Sequence, residues 1–138
     1  MRDQCICGVY PRTVSCSAVF HAYCRNLPVQ ERPVPQLPAD SAARKAAPMA
    51  RGLIDYFPDA LFAVAELSQI ANDKHNPGEP LHWSKEKSND HADCIIRHMI
   101  DRGKWDTSGA KPVRHSAEVA WRALALLQTE IEAERDNA

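Results

Sequence analysis

Three stretches of the chain carry apolar residues at the three- and four-residue spacing of an amphipathic helix. In the first, which Pro58 opens, Ala60, Val64, Leu67 and Ala71 fall on one face. Proline is harmless in a first helical turn, where its missing N–H would have had no partner. The segment NPGEP at 76–80 ends this helix. A second pattern follows Ser84 or Ser88, places Ala92, Ile95, Ile96, Met99 and Ile100 on its core side, and stops at Gly103. The third runs from Arg114 to Arg135 and predicts a buried stripe of Ala120, Ala123, Leu124, Leu127 and Ile131. No later stretch alternates with the two-residue period of a strand, so the expected fold is an all-α bundle. Three helices alone bury little, and Trp121 and Leu126 lie off the third stripe, so assembly as an oligomer is expected.

The polar positions repeat as well. Glu66, Gln69 and Asp73 stand at i, i+3, i+7, as do Asp90, Asp93 and Arg97, and again His115, Glu118 and Arg122. Each set makes one stripe along its helix. A bundle that turns acidic stripes inward builds a site for a cation, and two carboxylates one turn apart suit a hard divalent ion. Asp90 and Asp93 form such a pair, and Glu66 can complete the shell. Lys74, Arg97 and His98 stand near these carboxylates, where cationic groups neutralise phosphate oxygens, whereas Lys85 and Lys87 read as a solvated run. Trp83 either stacks on a planar base or plugs the end of the bundle. His115 either caps its helix or contacts ligand, and Cys94 has no adjacent base to activate it.

Ahead of the helices lies a different composition. Residues 1–44 read as an unstructured leader, with four prolines in PVQERPVPQLP at 28–38 and a short helical turn expected over 39–48. The folded domain is placed at 45–138. Cys5, Cys7, Cys16 and Cys24, with His21, could supply zinc ligands, but C-x-C followed by gaps of eight and seven lacks paired knuckles. The N-terminus lacks the apolar core of a secretory signal, and no run approaches the ~20 apolar residues needed to span a bilayer. Acidic and basic residues nearly balance at a net charge of −1, which gives no bulk attraction to nucleic acid or membrane. A soluble protein of the cytoplasm is the expectation.

With those residues in view, a resemblance emerges. The run PDALFAVAELSQIANDKHNPGEPLHW, then DCIIRHMI, Ser108-Gly109 and the His115 helix, resembles the phage dATP/dGTP diphosphohydrolase family, relatives of the MazG-like all-α nucleotide pyrophosphatases. It covers roughly 45–132 and rests on Pro58, Glu66, Lys74, Trp83, Asp93, Arg97, His98, Ser108, Gly109 and His115. The wider MazG-like pattern is E-x-x-E, a spacer, then E-x-x-D. Here Glu66-x-x-Gln69 and Asp90-x-x-Asp93 stand 20 residues apart. His75 replaces an aromatic residue, Thr107 an acidic one, and Glu118 stands where the family often has a second histidine.

The resemblance implies a MazG-like bundle, assembled as a homodimer or homotetramer, that hydrolyses dGTP or dATP to the monophosphate and pyrophosphate. It implies Mg²⁺ or Mn²⁺ on Glu66, Asp90 and Asp93, with Glu66 and Asp93 catalytic. Lys74, Arg97 and His98 would bind phosphate, and Trp83 and His115 the base. In phages whose DNA carries 2-aminoadenine, such enzymes supply dGMP. Two rivals stand beside this reading. A phosphohydrolase releasing intact triphosphate is disfavoured because no His-Asp dipeptide occurs in the chain. The other is a non-enzymatic helical phage protein with a zinc-stabilised N-terminal module.

Overall fold

The computed structural model describes residues 37–138. Residues 1–36 of the expected leader, with its possible zinc ligands Cys5, Cys7, Cys16, Cys24 and His21, lie outside the described residues; residues 37–44 are described, and a helix begins there at Ser41. Pro38–Ala138 form one compact unit.

Helix α1 spans Ser41–Ala46, and its N-terminus is capped by Asp40, whose Oδ2 accepts from the Ala43 N–H at 2.7 Å. A π-helical turn at Ala50–Ile54 leads into α2, Pro58–His75, which opens on its proline. Val64, Leu67 and Ala71 are half-buried as expected, and Ala60 is exposed. The NPGEP loop then reverses direction, with Gly78 at φ +80°, a left-handed conformation that glycine adopts without strain. Asn72, buried on α2, holds this loop in place. Its Nδ2 donates to the Glu79 carbonyl at 3.0 Å, and its Oδ1 accepts from the His82 N–H at 3.3 Å.

A 3-10 turn at Lys85–Lys87 precedes α3, His91–Ile100. Gly103, at φ +84°, lets the chain turn into a small antiparallel hairpin. Its strands are β1 (Trp105–Asp106) and β2 (Val113–Arg114), with Trp105 opposite Arg114 and Asp106 opposite Val113. This pairing corrects the expectation of a strand-free domain. Two residues are too few for a two-residue period to show. Helix α4, His115–Asp136, follows directly and is the helix on which both α2 and α3 pack, α3 more extensively. The described domain is therefore mostly helical.

The buried faces of α3 and α4 are not the ones the apolar spacing predicts. On α3 the buried residues are His91 and Cys94, whereas Ile96 and Ile100 are 62% and 72% exposed. On α4, Ala117 and Ala125 are buried, whereas Leu124 and Leu127 stay about half exposed. Trp121 and Leu126, which lie off the expected stripe, are half-buried, and the Trp121 indole N–H donates to Ser68 Oγ on α2 at 2.8 Å. Within one chain, then, α3 and α4 meet through small and polar side chains. The helical period is as expected; the larger apolar residues look away from the neighbouring helix. Among the described residues, no helix is long and apolar enough to cross a membrane.

Candidate active site

The last turn of α3 and the first turn of α4 bring three ligand-type side chains together. Gly103 and the hairpin turn the chain back, and the His115 N–H donates to the Lys104 carbonyl at 3.3 Å, fixing the start of α4 beside the end of α3. His98 Nδ1 then lies 3.1 Å from His115 Nδ1. Glu118, one turn along α4, places Oε2 at 3.0 Å from His98 Nδ1 and 3.1 Å from His115 Nδ1. The side chains are only 22%, 16% and 16% exposed in that order. Glu118 Oε2 is buried and, although close to both rings, has no aligned hydrogen-bond donor. Burial pushes the Glu118 carboxyl pKa up against the pull of His98.

Further acidic groups surround this cluster. The Ser108 N–H donates to Asp106 Oδ1 at 2.8 Å and holds that carboxyl below its ordinary value, with the two histidines adding to the effect. Lys104, 2.8 Å away, does the same for Asp101, again helped by His115 and His98. Beside the cluster, α2, the hairpin and α4 line a shallow cleft of about 90 Å³. Glu66, Trp105, Arg114 and Ala117 are among its walls. The Arg114 guanidinium stacks over the Trp105 ring at 4.2 Å, a cation–π arrangement at the mouth of the cleft.

The expected site residues thus divide. Glu66 borders the cleft, and His98 and His115 meet beside Glu118. Among the described residues, the one set of three or more His, Cys, Asp or Glu side chains with ligand atoms within 4.8 Å of one another is His98, His115 and Glu118. Asp90 and Asp93 are exposed on another flank of α3. There Arg97 donates to Asp90 Oδ2 at 3.0 Å, which, with a weaker bond from Cys94, lowers the Asp90 pKa to about 2. Arg97 also donates to Cys94 Sγ at 2.8 Å. Burial pushes the Cys94 thiol up, and its hydrogen bond to Asp90 adds to this, so it is no thiolate nucleophile. Lys74 is exposed near the end of α2.

Trp83 packs in an aromatic layer with Trp121 and His91. It is half-buried, edge-on to Trp121 at 5.6 Å and to His91 at 6.3 Å. Arg122 completes that layer by donating to Ser88 Oγ at 2.6 Å and lying 3.3 Å from His91 Nδ1. Glu118 and Trp105 are site residues beyond those the sequence assigns. The signal for Glu118 was its i, i+3 spacing from His115; Trp105 gave none beyond its place ahead of a Ser-Gly turn.

A family model described as dATP/dGTP diphosphohydrolase, N-terminal, matches residues 38–138. No curated protein and no solved structure gives a match.

Proposed function

The chain belongs to the dATP/dGTP diphosphohydrolase family, and from that membership we propose that it hydrolyses dGTP, and dATP with it, to the monophosphate and pyrophosphate in a divalent-metal-dependent reaction. The observation that carries this reading is the matched domain itself, residues 38–138, with a carboxylate-bearing cleft beside a His–His–Glu cluster. In the reaction, a water oxygen bonds to the α-phosphorus as the bond to the bridging oxygen breaks and pyrophosphate departs. Glu66, exposed at the cleft wall, accepts the proton of the attacking water. Arg114 neutralises phosphate oxygens, and Trp105, half exposed, offers a ring face for the purine.

A divalent ion supplies positive charge to the triphosphate, the chief requirement of phosphoryl transfer. The buried, unpartnered Glu118 oxygen beside two imidazole nitrogens fits such an ion. Asp93 and Asp90, exposed and away from this cluster, serve on this reading as surface carboxylates of α3. In a phage whose DNA carries 2-aminoadenine, the product dGMP is a precursor of that base. The protein acts as a homodimer or homotetramer.

The test is incubation of the full chain with each of the four dNTPs in Mg²⁺ or Mn²⁺, with products resolved by ion exchange. Purine monophosphate plus pyrophosphate is expected, and Glu66→Gln should lower kcat by about 10²-fold or more, the usual contribution of a general base. Intact triphosphates in both metals, or triphosphate released whole, would remove the proposed reaction.

A further inference from the structure

We infer that His98, His115 and Glu118 form a binding site for a divalent first-row transition ion, held through both imidazole Nδ1 atoms and one carboxylate oxygen, in preference to Mg²⁺. The inference rests on the proposed hydrolase reading only for its purpose, since the site itself is argued from geometry.

The three atoms form a nearly equilateral triangle with edges of 3.0, 3.1 and 3.1 Å. Ligands about 2.1 Å from an octahedral ion, one to a corner, lie roughly 3.0 Å apart, so these three atoms match one face of an octahedron. Without a cation the arrangement is poorly satisfied. A proton placed on any one edge of the triangle leaves the third atom unserved, and the buried Glu118 oxygen has no aligned donor. A cation attracts all three lone pairs at once. The charge around the triangle points the same way, because Asp101 and Asp106 lie near enough to the histidines for their charges to interact.

The donor set decides the metal class. Two neutral imidazoles and one carboxylate are the facial set of Fe²⁺-type sites, and imidazole suits Zn²⁺, Fe²⁺ and Ni²⁺. Mg²⁺ prefers all-oxygen surroundings and keeps its waters. The Asp90–Asp93 pair would have favoured Mg²⁺, but Asp90 is already engaged by Arg97.

The experiment is titration of the chelator-treated full chain with Co²⁺ in the absence of nucleotide, followed by d–d absorption and calorimetry, with Mg²⁺ as competitor. One equivalent should bind with no thiolate charge-transfer band, and millimolar Mg²⁺ should not displace it. Glu118→Gln and His115→Gln should each weaken binding by about 10²-fold or more, since even second-shell changes give 10–100-fold. Asp93→Asn should bind as the parent does. As a readout independent of variant folding, the unaltered Mn²⁺-loaded protein should show imidazole nitrogen couplings in pulsed electron paramagnetic resonance. Absent stoichiometric binding, cysteine charge-transfer bands without nitrogen couplings, or binding lost with Asp93 and retained without Glu118 would each overturn the inference. Metal bound here without dNTP hydrolysis would instead fail the hydrolase reading and leave the site standing. Mg²⁺-dependent hydrolysis undiminished in well-folded Glu118→Gln would fail the site and leave the reaction.

Discussion

Asp90 and Glu66 show how far a single carboxylate can be read from its letters. Both sit in acidic stripes of the same spacing, and both were expected to hold metal. The structure separates them by what else is nearby: Asp90 meets Arg97 two stripe positions on, whereas Glu66 opens onto a cleft. Such pairing cannot be seen in spacing alone, because i, i+7 residues touch only when their rotamers turn toward each other. It has a measurable consequence. The bond from Arg97, and secondarily from Cys94, keeps Asp90 ionised down to about pH 2. With its folded value depressed, the stabilising contact is present above the ordinary carboxylate value and is lost as pH falls toward 2. A carboxyl ¹³C titration should therefore place the Asp90 midpoint near 2, and Arg97→Gln should return it most of the way to 3.8. An unchanged midpoint in that variant would show that Arg97 does not set it. On the same reasoning Asp93→Asn should retain most dNTP turnover, in contrast to Glu66→Gln; kcat for the two variants, measured side by side, checks this.

At the scale of elements, α2 and the long helix α4 were legible from their apolar period, the Pro58 start and the NPGEP stop. The short α1 was legible as a turn at 39–48. What the period could not supply was which side of α3 and α4 faces inward. An apolar stripe says that a face needs cover; it does not say that the cover comes from the same chain. The inward side carries His91, Cys94, Ala117 and Ala125, residues that pattern reading discounts as too small or too polar. The site suffered the same blind spot: His98 and Glu118 lie on that polar side, so they meet only once its orientation is known. Asn72 is another polar residue whose weight the pattern understates. It is 3% exposed and closes the α2–α3 connection through two backbone partners, Glu79 and His82. Replacing it with alanine strands a carbonyl and an N–H in partly buried surroundings, which costs roughly 1–3 kcal/mol. Chemical denaturation of Asn72→Ala should show that loss as a lower midpoint with an unchanged slope, and an unaltered midpoint would mean water replaces both bonds without penalty.

For the whole molecule, the question is what lies against the outer faces of α3 and α4. Among the described residues, the buried apolar side chains are Cys94, Ala117 and Ala125, and none of the large ones is fully buried. A domain of this size needs more apolar burial than that to offset the entropy of ordering its chain. Ile96, Ile100, Leu124 and Leu127 carry the missing area, all more than half exposed. A second copy of the chain offers the same residues in return, and a two-fold contact needs only one self-complementary patch. The domain should therefore sediment at twice the chain mass or more at micromolar concentration, and stability should rise with protein concentration, since folding and association are linked. Ile100→Glu combined with Leu127→Glu places charge on both outer faces without touching the interior contacts of His91, Cys94 or Trp121. Analytical ultracentrifugation of that variant should show a shift to monomer together with a lower thermal midpoint. A variant that stays at the parent's mass would put the interface elsewhere, and a parent that is monomeric and stable would mean that the helices bury enough by themselves.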